Sequence, residues 1–261
     1  MSDILFQKVG EIAVITLNRP KVMNAFTFDM INQWADALDE YSKDDSVDAV
    51  VLTGAGEKAF CSGVDLNDLN MGEAKAIERK NDLWQKIHRI ALTLERFDKP
   101  MISAVNGLAI GAGMDMSLMC DIRFASENAR FAEGYIKVGL IPGDGGSYYL
   151  PRIVGMAKAL EMLWTGDFIH ADEAKQIGLV NQVYSSAELM PKTMEFAERL
   201  VNSPTMALRL IKRAAYQSAN LDLRTHLDLI SSHFVVVRDS EDHKEAMAAM
   251  LEKRTPQFTG K

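Results

Sequence analysis

Asp115 is an acid in apolar company. Residues 106–121 read NGLAIGAGMDMSLMCD, and within Met114–Met119 only apolar residues and one serine surround it. A carboxylate so placed costs free energy unless it is hydrogen-bonded or put to use. The glycine-rich segment before it reads as the entry to a helix, where backbone N–H groups lack intrahelical acceptors and the dipole end is positive. Donors about one turn from an acid suit a site where an oxygen gains negative charge while a proton moves. The competing reading of Asp115 is a satisfied carboxylate on a core helix.

Two further stretches carry candidate chemistry. In AFCSGVDL (59–66), Ser62-Gly63 supports a sharp turn after a strand that leaves the Val64 N–H free to point at a ligand. A plain surface turn is the alternative. In GLIPGDGGSYYLP (139–151), Asp144 lies between Gly143 and Gly145-Gly146. It either caps a helix that starts at Gly145 or presents a carboxylate beside a pocket. The run TGAGEKA (53–59) contains G-x-G-x-x-A, the dinucleotide fingerprint. The residues after it do not continue as the amphipathic helix that this motif requires, so it reads as a loop. A serine hydrolase is disfavoured because no serine sits in G-x-S-x-G. Met114, Met116 and Met119 read as core packing rather than a ligand box.

The elements that must position these residues alternate. Ile4–Val9 and Ile12–Leu17 form a hairpin pattern around Gly10-Glu11. Phe28–Tyr41 has helical spacing in Met30, Ile31, Trp34, Leu38 and Tyr41. A strand at Val47–Leu52, a long helix at 73–97, a buried strand at Met101–Val105, a helix at Gly111–Met119 and a strand at Ile122–Ala125 follow. This is an α/β core. After Gly145 the pattern is helical, at Tyr149–Trp164, Ala171–Ile177, Ala187–Val201, Pro204–Ala219, Leu221–Val237 and Glu241–Lys253, with one strand at Leu179–Tyr184.

The 261 residues suffice for a large domain with a smaller appendage, and 48% hydrophobic with 25% charged residues is ordinary for a globular protein. A net charge of −7 argues against nucleic-acid binding but leaves room for a local basic patch. Two cysteines and five scattered histidines show no zinc spacing, so no metal is expected. With no signal-peptide pattern and no apolar run of membrane-spanning length, a cytoplasmic protein with reduced thiols is expected.

Together these stretches resemble the crotonase superfamily, the enoyl-CoA hydratase/isomerase family. The resemblance runs through Leu17-Asn18-Arg19-Pro20 with Asn24-Ala25, Val51-Leu52-Thr53-Gly54, Ala59–Leu66, Asn106-Gly107 with Gly111-Ala112-Gly113, Cys120-Asp121, Gly139-Leu140-Ile141-Pro142 and Gly178-Leu179-Val180. It implies a spiral of ββα turns over 1–190 and a helical trimerisation region over 191–261, assembling as a homotrimer or dimer of trimers. It implies an acyl-CoA substrate and no metal or redox cofactor. The thioester oxygen is then held by the N–H groups of Val64 and Ala112. Coenzyme A lies against Lys21, Val22 and Met23 and against Val64, Asp65 and Leu66, with Lys21 offsetting phosphate charge.

The chain departs from the resemblance at the acids. Hydratases of the family usually carry two glutamates. The first falls on Asp115 and the second on Tyr135, a phenol that cannot serve as base at neutral pH without a large shift. Glu133, two residues away, shares a face with Tyr135 only in a strand. Asp144 lies one position beyond the place where some family isomerases carry an aspartate, which makes Asp115 and Asp144 the candidate acid–base pair. Hydration of a 2-enoyl-CoA is the first expectation. Enoyl-CoA or dienoyl-CoA isomerisation, acyl-CoA hydrolysis and a weakly active CoA-binding assembly protein are the alternatives.

Overall fold

The computed structural model describes residues 2–69 and 75–261. The strands are β1 (Ile4–Val9), β2 (Ile12–Leu17), β3 (Ala49–Gly54), β4 (Ala59–Cys61), β5 (Met101–Val105), β6 (Leu108–Ile110), β7 (Ile122–Ser126), β8 (Arg130–Ala132), β9 (Ile169–His170) and β10 (Gln182–Tyr184). They form one sheet in the order β1-β2-β3-β5-β7-β10 and a smaller one in the order β4-β6-β8-β9. The large sheet is parallel beyond its β1–β2 hairpin. β3 and β5 are buried at every position, as strands covered on both faces must be.

The two sheets define the spiral. β3, β5 and β7 lie in the large sheet, and their successors β4, β6 and β8 lie in the small one. Helices follow each pair. The corner between β5 and β6 is held by Asn106, whose side-chain amide donates to Gly56 O at 2.6 Å and whose oxygen accepts from Gly54 N at 3.2 Å. The 53–59 segment therefore joins two strands, and the helix that a dinucleotide fingerprint needs is not there.

Helix Phe28–Tyr41 buries Met30, Ile31, Trp34 and Leu38, and Thr27 caps it by accepting from Met30 N at 3.2 Å. The C-terminal turn of this helix is tied to the loop before β3 by Lys99. This lysine is 1% exposed, and its ammonium donates to Tyr41 O, Asp44 O and Val47 O at 2.6, 2.8 and 2.6 Å. Lys99→Met removes a donor from three carbonyls, of which only Asp44 O keeps another, Val47 N at 3.0 Å. A loss of about 3 kcal/mol is expected, read as a lower urea midpoint at unchanged slope.

Several expectations are corrected. The long helix at 73–97 is divided into Ala76–Asp82, a π-helical turn at Leu83–Ile87 and His88–Arg96, while Glu73 and Ala74 lie outside the described residues. The helix at Tyr149–Trp164 is two helices, Gly146–Val154 and Met156–Thr165, broken where Gly155 takes φ 80°. The strand at Leu179–Tyr184 is reduced to Gln182–Tyr184, and β9 is an additional strand after Gly145.

Helix Ser186–Val201 spans the expected 190/191 division. Its Leu189 and Ala197 pack with Ala49, Val51, Ile102 and Phe124 of the large sheet. Helix Thr205–Ser218 is pinned to the core by Arg209 on Asp98, twice at 3.0 Å, and by Lys212 and Tyr216 on Asp121 at 2.7 and 2.9 Å. Among the described residues no helix is long and apolar enough to cross a membrane.

Candidate active site

Register brings the two candidate N–H donors together. Cys61 of β4 pairs with Ala109 of β6, so the turn after β4 lies beside the end of β6. After β6, Gly111 adopts φ 51° and ψ −123°, a conformation suited to glycine, and helix Ala112–Leu118 begins. Gly113 then sits on the β4 backbone: a Cβ at this residue would fall 2.1 Å from Cys61 O. On the other side, Gly63 takes φ 99°, and a Cβ there would lie 3.9 Å from Ala112 N. Phe26 N donates to Gly63 O at 2.9 Å and Asp65 N to Phe26 O at 2.8 Å, which leaves the Val64 N–H between them without an acceptor among the described residues. The Ala112 N–H, at the first turn of its helix, is likewise unpaired there.

The acids meet on the same helix. Asp115 is fully buried, and Glu133 and Asp144 are 1% and 7% exposed. The Tyr135 hydroxyl lies 2.8 Å from Asp115 Oδ2 and 2.7 Å from Asp144 Oδ2, bridging the two aspartates. Asp144 is therefore no N-cap. Gly145 caps helix Gly146–Val154, with φ 116°, and the Asp144 side chain turns to Tyr135 instead. Glu133 follows β8 as the cap of the 3-10 helix Gly134–Val138, which contains Tyr135, so the two do not share a strand face. They converge all the same, because Asp115 lies between the regions they reach. No set of three His, Cys, Asp or Glu side chains among the described residues is arranged to hold a metal ion.

Burial disfavours every anion in this cluster. The Asp115 carboxyl is pushed up to about 7 by burial and by the Asp144 charge, against the opposing hydrogen bond of Tyr135. Burial raises Asp144 as well, opposed by the Tyr135 hydroxyl and by His88. Glu133 is held up to about 10 by burial first and the Asp115 charge second. The phenol of Tyr135 is raised far above its ordinary range by burial and both aspartates, so it remains a hydroxyl.

The segments flanking the donors are also joined. Lys21 and Val22 lie in the 3-10 helix Pro20–Val22, and Met23 and Asn24 follow with φ 56° and 54°. The buried Asn24 amide holds this turn by donating to Ala55 O and Ala59 O at 3.0 and 2.7 Å. Ser62 N donates to Met23 O at 3.0 Å, which sets Lys21–Met23 beside Val64–Asp65. Arg19 pairs with Asp65 at 2.8 Å, and the Leu66 backbone opens a short helix.

The family model described as enoyl-CoA hydratase/isomerase matches residues 7–261. The chain belongs to the enoyl-CoA hydratase/isomerase family. It is 40% identical over 256 residues to the short-chain-enoyl-CoA hydratase of Clostridium acetobutylicum, covering 97% of this chain and 96% of that one. It is 37% identical to the 1,2-epoxyphenylacetyl-CoA isomerase of Escherichia coli, covering both chains fully. Among solved structures, the enoyl-CoA hydratase from Bacillus anthracis superposes with a TM-score of 0.94 at 32% identity and full coverage of both chains.

Within this family member the expected residues Val64, Ala112, Asp115, Glu133, Tyr135 and Asp144 all fall in one region. Two contributors were not singled out from the sequence. A Cβ on Gly146 would fall 2.4 Å from Asp115 Oδ1, so this glycine is a wall of the acid cluster. The Gly145-Gly146 pair was the available signal. His88 Nε2 meets Gly143 O at 2.7 Å and so anchors the loop that presents Asp144. No local pattern marks that histidine. Trp84, one turn before it, is 59% exposed and stands edge-on to the His88 ring at 5.6 Å.

Proposed function

We propose that this protein stabilises a thioester enolate of an acyl-CoA under the N–H groups of Val64 and Ala112, with Asp115 and Asp144 moving the protons. Hydration of a short 2-enoyl-CoA is the reaction the reading favours. The observation that carries it is the placement of two unpaired N–H donors beside a buried acid pushed up to about 7. Ionised Asp115 takes a proton from water as the water oxygen bonds to Cβ. The Cα–Cβ π pair moves toward the thioester carbonyl, whose oxygen gains charge between the two donors. The proton taken from water passes from Asp115 through the Tyr135 hydroxyl to Asp144, which delivers it to Cα, so both carboxylates end as they began. Fixed donors aimed at a developing oxyanion contribute about 3–4 kcal/mol each in well-characterised sites. The short-chain hydratase among the relatives supports a short acyl group.

A second reading, double-bond isomerisation, is favoured by the Tyr135 bridge. A hydroxyl bonded to both aspartates offers a proton path from one to the other without bulk water. The isomerase among the relatives supports this alternative. Incubation with crotonyl-CoA and with 3-enoyl-CoA isomers, followed by chromatography of the products, separates the two. A 3-hydroxyacyl-CoA product is expected. Interconversion of the enoyl isomers with no hydroxylated product would replace hydration by isomerisation, and no conversion of any thioester would remove the proposal.

Coenzyme A is proposed to lie along Lys21, Val22 and Met23 and along Val64, Asp65 and Leu66, because the structure joins these two segments through Ser62 and Met23. It enters with the substrate, and the chemistry draws on no other cofactor. A homotrimer or dimer of trimers is proposed, with assembly built on the helices of 191–261. Helix Leu223–Arg238 buries none of its residues within one chain, and Leu223, Leu227, Phe234 and Val235 are 73, 53, 64 and 58% exposed. A cytoplasmic location is proposed from the two buried, unpaired thiols Cys61 and Cys120.

A further inference from the structure

We propose that Glu133 is kept as a carboxylic acid that donates its proton to Asp115, and so acts as the positioning residue for that acid. The proposal rests on the reading of Asp115 as an acid–base group.

Glu133 and Asp115 line one small space. A Cβ built on Gly146 would fall 2.4 Å from Asp115 Oδ1 and 2.9 and 3.0 Å from Glu133 Oε1 and Oε2. Neither Glu133 oxygen, nor Asp115 Oδ1, receives a hydrogen bond from another protein donor among the described residues. None of the ion pairs among the described residues includes Asp115, Glu133 or Asp144. Two ionised carboxylates side by side in a buried space repel each other, and no ion pair among the described residues offsets them. One proton held between them removes the repulsion and supplies the missing hydrogen bond.

The proton belongs on Glu133. Asp115 has a second donor in the Tyr135 hydroxyl, which stabilises its anion, whereas Glu133 has none. The groups that face the pair are consistent with this. Asp144 approaches from the loop before helix Gly146–Val154 and contributes a like charge, as Asp115 does. Burial holds Tyr149 of that helix and Cys61 of β4 neutral, with the Asp115 charge adding to the effect at Tyr149 and the Asp144 charge at Cys61. His88 faces Asp144 and is engaged with Gly143 O. Burial and the neighbouring aspartates hold Glu133 up to about 10, so its proton stays through the neutral range. Asp115 thus works as a base already oriented by neutral side-chain donors, Tyr135 and Glu133, with the Gly146 N–H also favouring its anion.

Infrared difference spectroscopy of the folded protein near neutral pH reads the proton directly and needs no substrate. Glu133→Gln is expected to remove a carboxylic-acid carbonyl band relative to the native protein. Loss of a carboxylate band instead would overturn the proposal. Kinetics give the positioning role. Gln retains a donor at this position and Leu does not, so Glu133→Gln is expected to be roughly tenfold more active than Glu133→Leu. The acid limb of the pH–rate profile moves to higher pH in Leu, because the Asp115 anion has lost a donor. Equal activities, or an unmoved limb, would also overturn it. Should Glu133→Leu fail to fold, the infrared result on Gln decides alone. A native protein that converts no thioester would defeat the proposed function and leave the infrared test of Glu133 standing.

Discussion

Asp115→Asn is expected to lower kcat/KM by roughly 10²–10⁴-fold on an accepted enoyl-CoA, the range for loss of a positioned acid–base group. Acyl-CoA affinity should change little. The amide keeps the size of the side chain and retains an oxygen for the Tyr135 hydroxyl, which lies 2.8 Å from Asp115 Oδ2. What it loses is the capacity to take a proton. Isothermal titration with a product thioester beside steady-state kinetics separates these quantities, and a parallel loss of binding would point to misfolding of the site.

The same residue sets the pH dependence. Burial and the Asp144 charge raise the Asp115 carboxyl, and it titrates at about 7. A raised acid holds its proton until higher pH, so below this point Asp115 is neutral and cannot act as base. kcat/KM should therefore rise with pH up to the neighbourhood of 7 and fall about tenfold per pH unit below it. In Asp115→Asn this limb should vanish from the residual activity. Because Asp144 is also raised and is bridged to Asp115 by Tyr135, the limb reports the coupled cluster, not one residue in isolation.

Gly113→Ala is expected to damage both stability and turnover. The added methyl would fall 2.1 Å from Cys61 O and 2.6 Å from Cys61 C. These are backbone atoms of β4, so no side-chain rotation relieves the clash and helix Ala112–Leu118 must move off the strand. The destabilisation should be about 3 kcal/mol, the upper part of the range for overpacking a close-packed interior. Displacement of the helix also carries Ala112 away from Val64. A shift of about 1 Å at a positioning element typically lowers turnover roughly 10²-fold. Urea unfolding gives the first quantity, and kcat measured where the variant remains folded gives the second.

The parts legible in the sequence were those with a period or a requirement. Helix Phe28–Tyr41 and the strand Met101–Val105 stand where the pattern placed them, because long periodic or continuous apolar runs leave few options. The glycines around Ala112 pointed to a site because glycine there answers a contact: Gly113 has no room for a methyl group. The small sheet was not legible. β4, β6 and β8 have three residues each, too few to express alternation, and their pairing is set by the spiral. Nor was the acid cluster complete. Asp144 could equally have capped a helix, and only the fold turns it onto Tyr135. Strand periodicity does not place Glu133 either, because it caps the 3-10 helix after β8, where alternation no longer governs direction.

The most direct test of Asp115-driven enolate chemistry is mass spectrometry of an enoyl-CoA turned over in deuterium oxide by the native protein and by Asp115→Asn. Deuterium at Cα of the product is expected with the native protein, and little or no product with the variant. Labelled product formed by Asp115→Asn at the native rate would contradict the assignment of the proton to Asp115. Thioester cleavage by the native protein with an unlabelled acyl chain would contradict the enolate itself.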